Sequence, residues 1–214
     1  MGHRISLAMG ALSIALLATA CGSSATTSPT SPLSVAASAT AVTVPSTIGG
    51  AVDPNAPEVV EPGDIPDNQV FVAFPSADGT YSVTVPEGWA RTENGGVVVF
   101  TDKYNSVTIS SMASTSAATV DDVKSNGLTD VSSDPTFHLV DVQPVTRKAG
   151  DGVLATYEIG SPPNPVTGKK ALLAVERYVF NHHGTTVVLT LSGAKGADNV
   201  DPWKVVSDSL TWTG

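Results

Sequence analysis

Cysteine is almost absent from this chain, since Cys21 is the only one among 214 residues. A single thiol excludes an internal disulfide framework. Long apolar runs are also missing. Residues 5–17 form an apolar stretch dominated by Leu, Ala and Ile, but a membrane-spanning helix needs roughly 20 apolar residues. The stretch is therefore too short to be a stable transmembrane segment.

The sequence also lacks the compact motifs of several enzyme classes. It contains no Gly-x-Ser-x-Gly nucleophile elbow, no phosphate-binding glycine-rich loop ahead of a helix and no HExxH-like helix. We therefore expect a protein that is not an enzyme and that holds no cofactor and no metal. A triad of distant Ser, His and Asp side chains stays open, because such triads are defined in space and not in sequence order.

Basic residues are scarce, with 11 Lys and Arg against 20 Asp and Glu and a formal net charge of −9. An acidic domain is repelled by the phosphates of nucleic acids and by anionic lipid surfaces. We therefore expect no nucleic-acid partner. Any attachment to a membrane has to come from something other than surface charge.

The start of the chain has the parts of an export signal in order. A positive charge lies within residues 1–4, the apolar stretch follows, and Ala18, Thr19 and Ala20 precede Cys21. This order resembles the bacterial lipobox, with one departure, because Ala18 stands where Leu is most common. The resemblance implies cleavage between Ala20 and Cys21 and diacylation of the Cys21 thiol. The alternative is an ordinary secretory signal that happens to be followed by a cysteine.

A lipidated Cys21 would attach the protein to a membrane without spanning it. Each buried methylene contributes about 0.8 kcal/mol, so two or three acyl chains make release negligible, whereas one chain binds only marginally. We expect the mature protein on the outer face of the cell membrane.

The segment after Cys21 has the composition of a disordered tether. Residues 22–52 contain no charged residue and are dominated by Ser, Thr, Ala, Pro and Gly, and carboxylates then occur among prolines as far as residue 66. Such a segment cannot bury enough apolar surface to offset its chain entropy. We divide the chain into a signal peptide (1–20), a lipidated cysteine with its linker (21–66) and a globular domain (67–214).

The globular domain shows mostly the period-two alternation of half-buried strands. Tyr81, Val83 and Val85, for example, alternate with Ser82 and Thr84. Short turn-forming segments separate the strands and favour antiparallel neighbours; they lie at residues 94–96, 102–105, 151–152 and 181–184. The predicted strands cover residues 81–85, 97–101, 106–112, 137–145, 153–159, 170–180 and 185–191.

Two helices are predicted beside these strands. Thr119 with Asp122 resembles a capping box, and a glycine at residue 127 offers a stop. The second helix is predicted to begin at Asp201, an N-cap acceptor, with Pro202 at the first helical position. The apolar face of this second helix should lie on the sheet; it comprises Trp203, Val206 and Leu210. The fold class is therefore α+β, a single domain with a mostly antiparallel sheet flanked by helices.

Two segments carry a family resemblance. Residues 81–89, Tyr-Ser-Val-Thr-Val-Pro-Glu-Gly-Trp, resemble the opening strand and Pro-x-Gly-Trp turn of PsbP-like domains, and residues 187–212 resemble their closing strand and helix. The resemblance implies an α/β/α sandwich of the kind that occurs on exported actinobacterial lipoproteins. It also implies a role in binding or assembly, and it supplies no catalytic motif.

Some side chains can be interpreted either as structural or as chemical groups. Trp89 follows a predicted turn and is expected to be a core anchor, with a sugar-stacking platform as the alternative. Asp121 and Asp122 are expected to serve the helix start, because adjacent residues of a helix point in different directions and carboxylates there favour the helix dipole.

His182 and His183 are expected to lie in a solvated hairpin turn. With His138 distant in sequence, they do not provide the three or four converging ligands that zinc needs. Two small basic spots, at residues 147–148 and 169–170, are expected to be strand-end charges that discourage edge pairing.

These observations predict a non-catalytic binding or accessory module of the cell envelope. Its partner would be an envelope protein, a transporter component or a wall polymer, held on the sheet or in a groove between sheet and helices. The first alternative is a carrier of a small apolar or lipid ligand, which needs a cavity on the order of 300 Å³ or more. The second is a hydrolase, which needs a compact cluster of titratable side chains in a cleft.

Overall fold

The computed structural model describes residues 63–164 and 168–213. The predicted signal peptide (1–20), Cys21 and the linker as far as residue 62 lie outside the described residues. Within the described residues the chain forms ten strands and two helices. In chain order they are β1 (Phe71–Pro75), β2 (Tyr81–Pro86), β3 (Ala90–Asn94), β4 (Val97–Asp102), β5 (Asn105–Ala113), α1 (Val120–Ser125), β6 (His138–Arg147), β7 (Gly150–Gly160), β8 (Leu172–His182), β9 (Thr185–Ala194), α2 (Val200–Ser209) and β10 (Thr211–Trp212).

The strands form two antiparallel sheets. The large sheet has seven strands in the order β3-β4-β5-β9-β8-β7-β6, and the small sheet has three in the order β1-β2-β10. Every neighbouring pair is antiparallel. The described chain is thus one α+β domain with a mostly antiparallel sheet and two helices, which confirms the predicted fold class.

The first face of the large sheet is covered by the small sheet and α2. On β2, Tyr81, Val83 and Val85 are buried between the two sheets. Val206 and Leu210 are buried in the same core, so the predicted apolar face of α2 does lie on the sheet. Leu189 is completely buried at the centre of this first core.

The second face is covered in part by α1 and the chain that follows it. Val123 and Leu128 pack there against Val153 and Ala155 of β7 and against Val175 of β8. Because β7 is covered on both sides, residues 153–155 are all buried. The alternation expected for a half-buried strand is therefore lost at this point.

The helix α1 begins as the sequence predicts. The backbone N–H of Asp122 donates to Thr119 Oγ1 at 3.1 Å, and the Thr119 hydroxyl donates to the Asp122 carboxylate at 2.6 Å. The helix ends at Asn126, whose backbone N–H donates to the carbonyls of Asp122 and Val123.

The predicted start of α2 is wrong by two residues. Asn199, not Asp201, occupies the N-cap position, and the helix begins at Val200. Asp201 and Pro202 both lie in the first turn. A carboxylate is favourable there because of the helix dipole, and proline is tolerated because the first N–H groups have no partner within the helix.

The turn predicted at Asp151-Gly152 is also wrong. The chain turns at residues 148–149, and Gly152 lies within β7. A Cβ at residue 152 would lie 2.6 Å from both the Phe180 ring and the Val179 carbonyl. This glycine therefore permits close approach of β8 and is not a turn residue.

Three strands were not predicted, namely β1, β3 and β10. Every residue of β3 is exposed, and β1 has only two partly buried side chains. A strand that buries few side chains shows no alternation of apolar and polar residues. The strands were predicted from that alternation. The two-residue strand β10 is too short to produce any pattern.

Residues 63–66, assigned to the linker on composition, lie against the large sheet; we call them the strap. The Gly63 carbonyl accepts hydrogen bonds from the side-chain amides of Asn105 at 2.9 Å and Asn199 at 3.2 Å. The backbone N–H of Ile65 donates to Asn199 Oδ1 at 2.8 Å, and the Ile65 side chain is buried. The strap thus packs with the domain.

Candidate functional site

The second face of the large sheet is covered over only one half. The helix α1 packs against β6 and β7, and the buried apolar residues of that face belong to β6, β7 and β8. Thr108, Ser110 and Val188 on β5 and β9 are only half-buried, and Met112 is 56% exposed. Their register shows that they share this face, because Val188 pairs with both Val179 and Ser110.

A groove of about 670 Å³ lies between this uncovered half-face and residues 114–130. We call it the sheet groove. Its floor comes from β4, β5, β8 and β9, and its wall from the chain that leads into α1, from α1 itself and from the residues that follow it. Seven of its residues carry hydroxyls, namely Thr108, Ser110, Ser114, Ser116, Thr129, Thr186 and Thr190.

The wall of the sheet groove is fixed to its floor by Arg177. The guanidinium donates to the two carboxylate oxygens of Asp130 at 2.7 and 2.8 Å, and to the Gly127 carbonyl at 2.8 Å. Its Nε donates to Thr190 Oγ1 at 3.2 Å. Such bidentate pairs are directional as well as strong, so the loop after α1 is held at one position on β8 and β9.

The two residues of this ion pair differ in their exposure to solvent. Arg177 is 8% exposed, whereas the Asp130 side chain is 61% exposed. The hydrogen bonds from Arg177 hold the pKa of the Asp130 carboxyl below its ordinary value, against a smaller opposing effect of burial. Asp130 is therefore ionised at neutral pH and faces water at the edge of the groove.

The remaining carboxylate of the groove is that of Asp122. It accepts a hydrogen bond from Thr119 and is exposed. The predicted capping role of Asp122 is confirmed, and the same side chain also lines the groove. Asp121 is exposed in the first turn of α1 and is not among the lining residues.

A second cleft, of about 570 Å³, lies between the β1–β2 hairpin and the β3–β4 hairpin. Arg91 pairs with Glu93 at 2.7 Å and lies over the Phe74 ring at 5.0 Å, and all three residues line the cleft. Hydroxyl donors of Ser76 and Thr80 lower the pKa of Asp78, which lies at its rim. The charged groups of this cleft are thus engaged with one another or with the local turn.

His182 and His183 belong to an aromatic stack. The rings of His182 and His183 are 3.9 Å apart, and His182 also stacks on Trp212 at 5.1 Å. His138 begins β6. No group of three His, Cys, Asp or Glu side chains placed to hold a metal occurs in the described part of the chain.

Other predicted side chains have structural contacts. Trp89 packs against the first core, as expected of an anchor. Arg147, expected to be a strand-end charge, does end β6 but also donates to the Tyr178 hydroxyl at 3.3 Å and lies 3.5 Å from Asp208. The charges at residues 169–170 lie just before β8.

One catalytic motif that we expected to be absent is present in the chain. Residues 192–195 read Ser-Gly-Ala-Lys, a Ser-x-x-Lys spacing, but the two ends of this segment have separate partners. The hydroxyls of Ser192 and Ser106 form a hydrogen bond at 2.7 Å, and Lys195 forms a salt bridge with Glu158 at 2.7 Å. The structure therefore does not form a Ser-Lys pair here.

Sequence reasoning missed Arg177 and Asp130. They are 47 residues apart in the chain, and no local pattern connects them. The one available signal was an arginine among the apolar residues of a predicted strand, since a buried charge requires a partner.

No protein-family model matches the chain, and no curated protein matches it. Solved structures to which it is similar include a cyanobacterial PsbP from Synechocystis (16% identity, TM-score 0.49, covering 71% of this chain and 98% of that chain). Another is the Saccharomyces cerevisiae Ran-binding protein Mog1p (8% identity, TM-score 0.46, 67% and 96%).

A third similar structure is LpqN of Mycobacterium tuberculosis, described as involved in cell envelope biogenesis (16% identity, TM-score 0.40, 69% and 93%). The chain spans only 48% of a matching protein from Bacteroides thetaiotaomicron. These similarities concern the fold, and they assign no function.

Proposed function

We propose that this protein is a membrane-anchored, non-catalytic module that binds an envelope partner in the sheet groove. One observation carries the proposal, namely that α1 leaves half of the second sheet face uncovered. Half-buried side chains on three neighbouring strands would be covered in a closed sandwich, and their exposure beside a groove is typical of a binding surface.

The anchor is proposed from the sequence alone. Cys21 follows a short apolar stretch and small residues, and residues 22–62 separate it from the strap. Scaling with the square root of chain length gives a reach of very roughly 35 to 40 Å for some forty flexible residues. Among the residues that the structure describes, no helix is long and apolar enough to cross a membrane.

A Cys21→Ser variant tests the anchor. We expect wild-type protein in the membrane pellet with an acylated N-terminal peptide by mass spectrometry, and the variant in the soluble or secreted fraction. A variant that has lost residues 1–20 and still stays firmly in the pellet would contradict lipidation at Cys21.

Site-specific photocrosslinking in intact cells tests the groove. A benzophenone amino acid at residue 112 lies at the groove, and one at residue 70 is a matched control, since Met112 and Val70 are 56% and 55% exposed. We expect one envelope protein, identified by mass spectrometry, to be captured from residue 112 and not from residue 70. The same products from both positions, or none from either, would count against the proposal.

The groove volume of about 670 Å³ also keeps the carrier alternative open. A carrier of an apolar ligand would enclose it with apolar side chains, whereas this groove distributes hydroxyls and carboxylates among its valines. A fluorescent fatty acid distinguishes the two functions. Saturable binding that a Val188→Lys substitution removes would favour a carrier, and its absence favours the binding module.

A further inference from the structure

We propose that the sheet groove takes a basic segment of a protein partner, one whose lysine or arginine side chains lie over the floor and reach the wall. This inference deepens the proposed function and rests on it. It follows from the charges of the groove, from the apolar surface between them and from the charge of the other possible occupants.

The charge available in the groove is negative. Its ionised lining residues are Asp122, Asp130 and Arg177. Arg177 is 8% exposed, and its guanidinium already donates to Asp130, Gly127 and Thr190. Both carboxylates belong to exposed residues. A ligand in the groove therefore meets two carboxylates and no accessible cation.

The floor suits the methylene stems of long basic side chains. Val97 and Val188 are half-buried, and Met112 is more than half exposed, beside the hydroxyls of Thr108 and Ser110. Lysine and arginine place their methylenes on apolar surface while the charged group stays at a polar one. Methionine adapts to different partner shapes.

Charge also decides against the other occupants. An anionic wall polymer or a phospholipid headgroup would bring like charge to Asp122 and Asp130. A second copy of this chain carries a net charge of −9, and residues 22–52 of the chain itself carry no charge at all. Electrostatic complementarity governs the choice of partner and the rate of encounter, so a basic protein segment is the occupant that fits.

The test uses the full chain, purified in a neutral detergent, and two N-acetylated, C-amidated peptide probes. The probes are (Lys-Ser-Val)₄ and its glutamate counterpart (Glu-Ser-Val)₄, and binding is measured by isothermal titration calorimetry. We expect the lysine peptide to bind, with affinity falling as salt is raised because exposed charges are screened. Binding of the glutamate peptide alone, or of neither peptide, would overturn the inference.

Two substitutions that introduce long side chains of opposite charge separate charge from shape. Ser110 is half-buried on the floor of the groove. We expect Ser110→Glu to tighten binding of the lysine peptide by about threefold or more and Ser110→Lys to weaken it by a similar factor. Equal weakening by both variants would show obstruction without charge recognition and would overturn the inference.

Neighbouring carboxylates on α1 give a matched control. Asp122→Asn and Asp121→Asn change net charge equally, but only Asp122 lines the groove. We expect a clear loss of affinity with Asp122→Asn and a much smaller loss with Asp121→Asn. Equal losses would indicate attraction to the whole acidic molecule and would contradict a site in the groove.

The same variants keep this inference separate from the proposed function. One outcome is that crosslinking from residue 112 captures one envelope protein equally well in the wild type and in both Ser110 variants. The groove then binds a partner, but the inference that the partner contributes a basic segment is wrong. If residue 112 captures nothing, the proposed function itself fails.

Discussion

At the scale of single residues, Arg177 is the side chain on which the sheet groove depends. Among the described residues it is the only charged residue that is buried, and a buried charge without partners would be strongly destabilising. Its partners lie 47 and 50 residues away in sequence. The capping pair Thr119 and Asp122 could be predicted because its members are three residues apart, whereas the Arg177 contacts exist only after folding.

An Asp130→Asn substitution should lower the free energy of unfolding by about 1 kcal/mol at neutral pH. The charge is lost and an amide N–H₂ faces the guanidinium, but the exposed position of Asp130 lets water compensate in part. Urea unfolding measures the difference. A Glu93→Gln control, in a pair with both side chains about half exposed, should change stability by less than about 0.5 kcal/mol; equal effects would contradict the role of Asp130.

The same pair should make stability depend on pH in the acid range. The pKa of Asp130 is lowered in the folded protein by hydrogen bonds from Arg177. Its contribution is therefore fully present above the unfolded value of about 3.9 and is lost as pH falls through the folded value. The stability difference between wild type and Asp130→Asn should be constant from about pH 5 to 7 and shrink below about pH 4. A difference that grows on acidification would contradict this assignment.

At the scale of elements, burial determined which strands the sequence could predict. The strands β2, β4, β5 and β9 alternate between buried and half-buried side chains, and each was predicted within a few residues. The edge strand β3 was missed because all its side chains face water. Most residues of β5 and β9 alternate between apolar and polar side chains as in any half-buried strand. The sequence therefore could not show that one half of the second sheet face would lack a covering helix.

The edge of the large sheet at β6 shows how local features protect an exposed strand. The register skips Val140 between Leu139 and Asp141, so a bulge interrupts the edge, and Pro144 further along lacks a backbone N–H. Both features discourage pairing with another chain. The sequence-based expectation placed this protection in the basic residues 147–148, whereas Arg147 is partly engaged with Tyr178 and Asp208.

Removing the N-cap should test how firmly α1 forms the wall. Thr119→Ala removes the acceptor for the Asp122 N–H and should lower the free energy of unfolding by about 1 kcal/mol. Because α1 has only six residues, its amides should also exchange faster with solvent deuterium. Thr119→Ser retains the acceptor and should restore most of the loss; the same destabilisation in both variants would exclude capping as its cause.

At the scale of the whole molecule, the strap changes where the domain begins. Composition placed residues 63–66 with the linker, since they follow prolines and carboxylates. In the structure their backbone atoms form hydrogen bonds with the buried side chains of Asn105 and Asn199. These two side chains also form a hydrogen bond with each other at 3.1 Å. A Cβ on Gly193 would lie 2.6 Å from both amides. Contacts between residues 94 and 136 apart in sequence leave no local pattern to predict from.

A soluble chain that begins at Gly63 should be more stable than one that begins at Asp67. Loss of the strap exposes the site of Ile65 and removes the partners of two buried amides, so the difference should be about 2 to 3 kcal/mol. Thermal and urea unfolding measure it. Asn199→Ala should destabilise the longer chain more than the shorter one, and equal stability of the two chains would show that the strap does not belong to the folding unit.

The strap also settles how a pull on the chain would be transmitted. It is held at Asn105, where β5 begins, and the groove extends along β5 to Met112, seven residues and roughly 23 Å further on. Tension arriving at residue 63 would therefore enter the sheet at one end of β5, whereas the groove extends toward the other end. Neither Asn105 nor Asn199 lines the groove, so a ligand there would leave the hydrogen bonds of the strap in place.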